Sequence, residues 1–398
     1  MADRHRLVRE KLDQAVGILN ELDIDAWMTF VRETSLSPDP SLELILGMDM
    51  VWQSAFIVTR DGLRAAIVGK HDAENVVQTG GYTRVVPYLQ GIREALISTL
   101  LEINPRQLAL NYSENDVAAD GLAHGLMLLL QRYLVDTNLS DRFISAEPVI
   151  RALRGRKSPL EIELIQAAIA TTQGIFKKVG EYVRHGMSEK AIADYVHSLV
   201  RERSLGTAWD WDYCPTVSAG PDSPIGHAGP QEQYHVGPGM LLHMDFGVKQ
   251  DDYCADLQRV WYVRREGEDS PPPEVSKAFD AARSALLAGF EALRPGVQGW
   301  EVDQAARAAL VAAGYPEYPF AFGHHLGRVA HDGATVLGPR WERYGSTPYG
   351  VIEAGNVFAI ELGVEVPGYG YIGLEENVLV TETGAAWLSE PEETLWLL

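Results

Sequence analysis

Four carboxylates and one histidine stand out in this 398-residue sequence because their surroundings repeat. A glycine opens an apolar run at Gly239-Met-Leu-Leu-His-Met-Asp245-Phe-Gly247-Val248, and the pattern returns at Gly355-Asn-Val-Phe-Ala-Ile-Glu361-Leu-Gly363-Val364. As strands these runs would bury both faces, yet each carries an acid near its end. A reversal and a second acid follow each run, Asp256 after the first and Glu375 after the second. A buried carboxylate is costly unless something positive meets it. If 243–258 is a hairpin turning at Gln250-Asp251, Asp245 and Asp256 stand directly opposite, with Cβ atoms roughly 4.5–5.5 Å apart. Glu361 and Glu375 flank the Gly-rich reversal Pro367-Gly-Tyr-Gly-Tyr-Ile-Gly373 in the same manner. Between the two hairpins, Gly323-His324-His325-Leu326-Gly327 offers an imidazole. Four carboxylates and one imidazole suffice to hold two divalent ions about 3.5–4 Å apart, bridged by carboxylates and a water.

The elements that must position these groups are legible in the same pattern. A helix start at Ser158-Pro159-Leu160-Glu161 has Ser as N-cap, Pro at the first position and Glu three residues after the cap. Two helices, about 159–184 and 189–204, precede the first acidic hairpin, and two more, 274–293 and 300–313, precede the second. Val275, Phe279, Ala282, Leu286 and Phe290 form a helical apolar stripe that belongs to a core. A repeat this long, seen twice, is an internal duplication. The first 150 residues alternate differently: helix 3–22, strand Asp25–Phe30, a hairpin turning at Arg60-Asp61-Gly62, strand Arg84–Leu89, helix 92–103, strand Gln107–Tyr112 and helix 115–134. The expected division is 1–155 and 156–398.

Composition removes several classes of function. With 34 Lys and Arg against 55 Asp and Glu, the net charge of −21 argues against a nucleic-acid partner. No apolar run reaches the roughly 18–20 residues that span a bilayer, so no membrane is expected. The first 22 residues read as a charged amphipathic helix lacking the apolar centre of a signal peptide. Cys214 and Cys254 are the two cysteines, too few for a disulfide framework, and a cytoplasmic location is expected. Gly368-Tyr-Gly370-Tyr-Ile-Gly373 matches a nucleotide-binding pattern by letter, but a strand follows it where a phosphate site needs a helix.

The set Asp245, Asp256, His324, Glu361 and Glu375 resembles the ligand set of the pita-bread metallopeptidases, the family of methionine aminopeptidase, aminopeptidase P, prolidase and the metal-free creatinase. The phrases MDFG, GHxxG followed by His331-Asp332, and LEENVLVTE fall in family order. The resemblance implies a creatinase-like α/β N-terminal domain followed by an α+β pita-bread catalytic domain with an internal pseudo-twofold duplication. It further implies a dinuclear site for two divalent metal ions, Mn2+ first, with Co2+, Zn2+ or Fe2+ as alternatives. Glu361 would be general base as well as ligand, while His227 and His331 resemble two family histidines near the scissile carbonyl.

The implied activity is hydrolysis of Xaa-Pro dipeptides. The alternatives are an aminopeptidase P acting on longer peptides and a non-catalytic binding protein. Related enzymes are commonly homodimers in which an N-terminal loop closes the neighbour's site. Here that loop would be 32–40, with Arg32 and Asp39 reaching the substrate's charged ends. Three positions depart from the family: Phe320 replaces a His, Gly373 an Arg and Glu365 a Tyr. His243 reads as a core residue or a support for Asp245, His325 as a packing neighbour and His235 as a surface residue.

Overall fold

The computed structural model describes residues 2–226 and 228–398. The chain divides between Arg154 and Gly155 into two compact units.

In the first unit, α1 (Ala2–Glu21) precedes β1 (Ala26–Val31), α2 (Leu42–Ile45), β2 (Ser54–Thr59), β3 (Arg64–Gly69), α3 (Ala73–Gln78) and β4 (Arg84–Tyr88). Then come α4 (Arg93–Ile103), β5 (Leu108–Leu110), α5 (His124–Tyr133), β6 (Phe143–Ser145) and α6 (Glu147–Gly155). The strands form a mixed sheet in the order β4-β3-β2-β1-β5-β6. Successive side chains alternate between its faces. Trp27, Val31, Phe56 and Val58 enter one core, while Met28, Phe30, Ile57 and Ile67 enter another. Burial on both faces is why these strands read as near-continuous apolar runs. The helix expected over 115–134 is shorter. Asp116 accepts from the Ala118 amide and caps a single 3-10 turn, Val117–Ala119. The chain then bends at Gly121, where an added Cβ would lie 2.3 Å from the Asp39 carboxylate, and α5 begins only at His124.

The second unit opens with α7 (Pro159–Tyr182) and α8 (Glu189–Glu202). Its first group of strands is β7 (Gly206–Thr207), β8 (Thr216–Ala219), β9 (Leu241–Phe246), β10 (Val248–Gln250), β11 (Tyr253–Cys254) and β12 (Leu257–Tyr262). The second half follows with α9 (Pro273–Ala292), α10 (Gly299–Ala312), β13 (Gly323–His325), β14 (Val336–Leu337), β15 (Val357–Val366), β16 (Gly370–Val380), β17 (Ala385–Trp387) and β18 (Trp396–Leu397). The large sheet runs β14-β13-β15-β16-β12-β9-β8, with β17 on β16 and β18 on β12, and β11-β10-β7 form a small sheet beside it.

The duplication extends to small details. Each half places a helix pair before its long hairpin. The residue capping the second helix of each pair makes an isolated bridge, Ser188 to His235 and Gln298 to Val351. The capping box expected at Ser158 forms with Glu161. The α9 stripe packs Val275, Phe279, Ala282 and Leu286 into one core with Ile360, Leu362, Ile372 and Leu374 of the second hairpin. That packing fixes which face of β15 and β16 turns away from the helices.

Candidate metal centre

Register brings the polar residues of five strands into one row. Thr216 of β8 pairs with Asp245 of β9, Asp245 with Gln258 of β12, Gln258 with Glu375 of β16, and Glu375 with Glu361 of β15. Glu361 and Glu375 therefore face each other across their hairpin.

Asp245 and Asp256 do not stand directly opposite. The turn lies at Asp251-Asp252, with φ of 49° and 68°, one residue beyond the expected place. Two adjacent residues at positive φ suit the twist of a tight hairpin, and Asp tolerates that region. The pairing shifts accordingly, and Gln258 takes the place opposite Asp245. Asp256 becomes a diagonal neighbour of Asp245, within reach on the same face. Gly247 permits the crossing, since a Cβ there would lie 1.7 Å from the Ala255 carbonyl oxygen. Asn377 satisfies the interrupted backbone: its Oδ1 accepts from the Asp256 amide at 3.3 Å, and its Nδ2 donates to the Asp256 carbonyl at 2.6 Å.

His324 enters from β13, which pairs with β15. Its Nδ1 lies 3.2 Å from the His325 carbonyl and 3.1 Å from that of Ala330, so Nδ1 carries the hydrogen. The Nε2 lone pair faces Asp256 Oδ2 and Glu375 Oε1, each at 3.8 Å. Burial, reinforced by neighbouring His331, lowers the His324 pKa to about 3 and keeps the ring neutral. A neutral imidazole whose second nitrogen is fixed by backbone carbonyls is in the form that binds metals.

The four carboxylates are crowded and enclosed. Burial raises the pKa of Glu361 to about 7 and drives those of Asp245, Asp256 and Glu375 well above the ordinary range, with repulsion among the acids adding to each of these three. Asp245 Oδ1 is buried and has no hydrogen-bond partner among the described residues. Donor atoms of Asp256, His324 and Glu375 all lie within 4.8 Å of one another. An orphaned carboxylate oxygen, converging acids and a correctly turned imidazole fit a divalent cation, which prefers such hard donors.

Two cavities reach this cluster. One, of about 570 Å³, is lined by all five of these residues together with Trp209, Tyr213 and His331. The other, of about 370 Å³, adds His243, Gln258, Tyr318, Phe320, Tyr344 and Tyr371 to Asp245, His324 and Glu361. His331 is exposed, its ring centroid 4.2 Å from that of His324. His227 lies outside the described residues. His325 packs on Phe358 at 4.2 Å, and His235 is exposed.

Sequence reading missed Gln258. Its Nε2 donates to Glu361 Oε2 at 2.7 Å, and its Oε1 lies 2.9 Å from His243 Nε2. The signal available was a polar residue inside the apolar run Leu257–Tyr262, two places beyond Asp256 and thus on its face.

In the first unit, Arg32 is exposed and lines a cavity of about 540 Å³ with Trp52, Lys70 and His71. Asp39 does not suit the role expected of it. It is buried, its Oδ1 accepts from the Ser41 amide and hydroxyl, and its Oδ2 accepts from Asn111 Nδ2 at 2.7 Å. Those bonds tie the start of α2 to Asn111 beyond β5 and engage both carboxylate oxygens within the first unit.

Residues 163–382 match the model of metallopeptidase family M24. Among curated relatives, an Xaa-Pro dipeptidase of Lactobacillus helveticus is 28% identical over 256 residues, 63% of this chain and 64% of that protein. An uncharacterized peptidase of Staphylococcus saprophyticus is 26% identical over 260 residues, 65% of this chain and 69% of that one. Among solved structures, an Xaa-Pro dipeptidase from Bacillus anthracis superposes with a TM-score of 0.73 at 21% identity, covering 98% of this chain and all of its own. An X-Pro aminopeptidase from Thermotoga maritima gives 0.70 at 22% identity, covering 97% of this chain and 99% of that one. The likeness to the solved structures extends over both units and shows the fold, an N-terminal α/β domain and a pita-bread domain. The matched region spans more than half of the sequence and contains Asp245, Asp256, His324, Glu361 and Glu375, and the chain belongs to metallopeptidase family M24.

Proposed function

We propose that this chain hydrolyses the bond between a first residue and proline in short peptides, with Xaa-Pro dipeptides as the first substrates. The observation that carries the reading is the convergence of Asp256, His324 and Glu375 beneath a cavity that Asp245 and Glu361 also line. In this reading those five residues hold two divalent ions, Mn2+ first. Such ions supply Lewis-acid polarisation of a carbonyl and acidify a water.

The chain's own groups do the rest. Glu361, with a pKa of about 7 in the metal-free chain, is poised to take a proton from water and return it to the leaving nitrogen. His331, at the cavity edge, donates a hydrogen bond to the oxyanion that develops on the carbonyl carbon's oxygen. His227 is assigned the same neighbourhood by sequence. Trp209 and Tyr213 on one side, and Tyr318, Phe320 and Tyr344 on the other, provide flat apolar walls against which a pyrrolidine ring can lie.

A second reading, release of the first residue from longer Xaa-Pro peptides, is favoured by one observation. Among the described residues lining the two cavities there is no Lys or Arg to pair with a free carboxylate. A non-catalytic role fits poorly with a full donor set. Turnover of Gly-Pro against Gly-Pro-Ala with Mn2+ present separates the readings. Preference for the dipeptide supports the first, preference for the tripeptide supports the second, and cleavage of neither overturns both.

The same reading includes a cytoplasmic homodimer, in which Arg32 of one protomer serves the other's substrate. Both cysteines are free and buried. Among the described residues no helix is long and apolar enough to cross a membrane. Unchanged KM in Arg32→Ala would remove that residue from the reading.

A further inference from the structure

Gln258 occupies an unusual place, an amide in the middle of a row of carboxylates. Its neighbours on paired strands are Asp245 and Glu375, and its side chain reaches Glu361 as well. The orientation of the amide is settled by chemistry. A carboxylate oxygen at 2.7 Å requires the NH2 group toward Glu361, which leaves Oε1 facing His243 Nε2 at 2.9 Å. His243 must therefore carry its hydrogen on Nε2. The ring is buried and held edge-on to Tyr371, with centroids 5.1 Å apart and an interplanar angle of 89°.

Gly373 gives the assembly its room. A Cβ there would lie 2.3 Å from Gln258 Oε1, 2.5 Å from His243 Nε2 and 2.8 Å from Tyr371 Cε1. The space that a side chain at 373 would need is thus filled by the contact between His243 and Gln258. The glycine that departs from the family pattern and these two residues form one unit.

We propose that His243 and Gln258 are positioning residues for Glu361, a relay that clamps one carboxylate oxygen and leaves the other as the donor to a metal ion. His243 aims the Gln258 amide, and the amide aims Glu361. This deepens the metal-centre part of the reading above and does not depend on which peptide is cleaved. Without the clamp, Glu361 gains rotational freedom, and both ion affinity and proton transfer suffer while peptide binding does not.

The test titrates Mn2+ into the chelator-treated full-length chain by calorimetry, with thermal melts to confirm folding. Gln258→Leu and His243→Leu should each weaken Mn2+ binding by on the order of 10-fold, the usual cost of losing a group that orients a metal ligand. His243→Gln, which can still donate to Gln258, should retain most of the affinity. The double variant should lose no more than Gln258→Leu alone, because His243 acts through the amide. On any peptide that is cleaved, kcat should fall with KM within about twofold. Parent-like Mn2+ affinity in Gln258→Leu, or losses that multiply in the double variant, overturn the relay. Should Gln258→Leu fail to fold, a His243→Leu chain binding Mn2+ no worse than His243→Gln overturns it equally. The isotherms contain no peptide, so failure of the Xaa-Pro reading leaves them interpretable.

Discussion

Lys157 Nζ lies 2.8 Å from Asp332 Oδ2, and both side chains are buried. The same carboxylate oxygen accepts from the Arg328 amide at 3.1 Å, so the pair ties the start of α7 to the loop that carries His331. Removing one partner of a buried pair leaves an uncompensated charge, whereas removing both does not. Lys157→Met should therefore destabilise the second unit by about 3–5 kcal/mol, with the Lys157→Met/Asp332→Asn double variant closer to the parent. Denaturant melts of the three chains check this.

Asp256→Ala should abolish turnover and yet stabilise the metal-free chain, because one of four mutually repelling carboxylates is gone. Melting of parent and variant after exhaustive chelation tests the second half. Turnover by thoroughly chelated parent protein would contradict the first.

Glu361→Gln keeps the size of the side chain and removes the proton acceptor. A fall in kcat on the order of 10²–10⁴ is expected with metal still bound, the usual range for acid–base catalysis. Parallel measurement of bound metal separates a lost base from a lost ligand.

Metal-free stability should decline as pH rises from the ordinary carboxylate range through 7, and on beyond 7 for the more strongly raised acids. The Glu361 pKa is raised to about 7 and those of Asp245, Asp256 and Glu375 further, so the folded state keeps protons that the unfolded state has released. Where the unfolded state binds fewer protons, stability falls with pH. His243, held neutral with its pKa near 4 by burial, and His324, lowered to about 3, act in the opposite direction, but only below the ordinary histidine value of 6.5. Melting temperatures of the chelated chain at pH 7.0 and 8.5 should thus decrease, and Mn2+ should raise the value more at the higher pH.

The second hairpin was legible because β15 and β16 pair without interruption on either side of a glycine-rich reversal, so the spacing of Glu361 and Glu375 dictates their pairing. The first was not, because its register depends on a turn whose two residues, Asp251 and Asp252, adopt positive φ, and an acidic pair gives little warning of that. The four helices of the second unit were readable from caps and apolar spacing to within two residues at each end. The overlong helix at 115–134 failed where Asp116 caps a local 3-10 turn and Gly121 closes against Asp39, the latter a tertiary demand with no periodic signature. Gln258 escaped notice because it is neither acid nor base. Its significance comes from two strands that sequence does not bring beside it.

The proposed donors of the centre come from both copies of the repeat, Asp245 and Asp256 from one and His324, Glu361 and Glu375 from the other. During synthesis the ribosome emits the first pair long before the rest. A nascent chain that ends before β13 holds Asp245 and Asp256 but lacks the His324 imidazole and both glutamates. With the proposed ligand set, full ion capture would wait until β16 has emerged and paired with β12, which would tie metal acquisition to completed translation of the repeat.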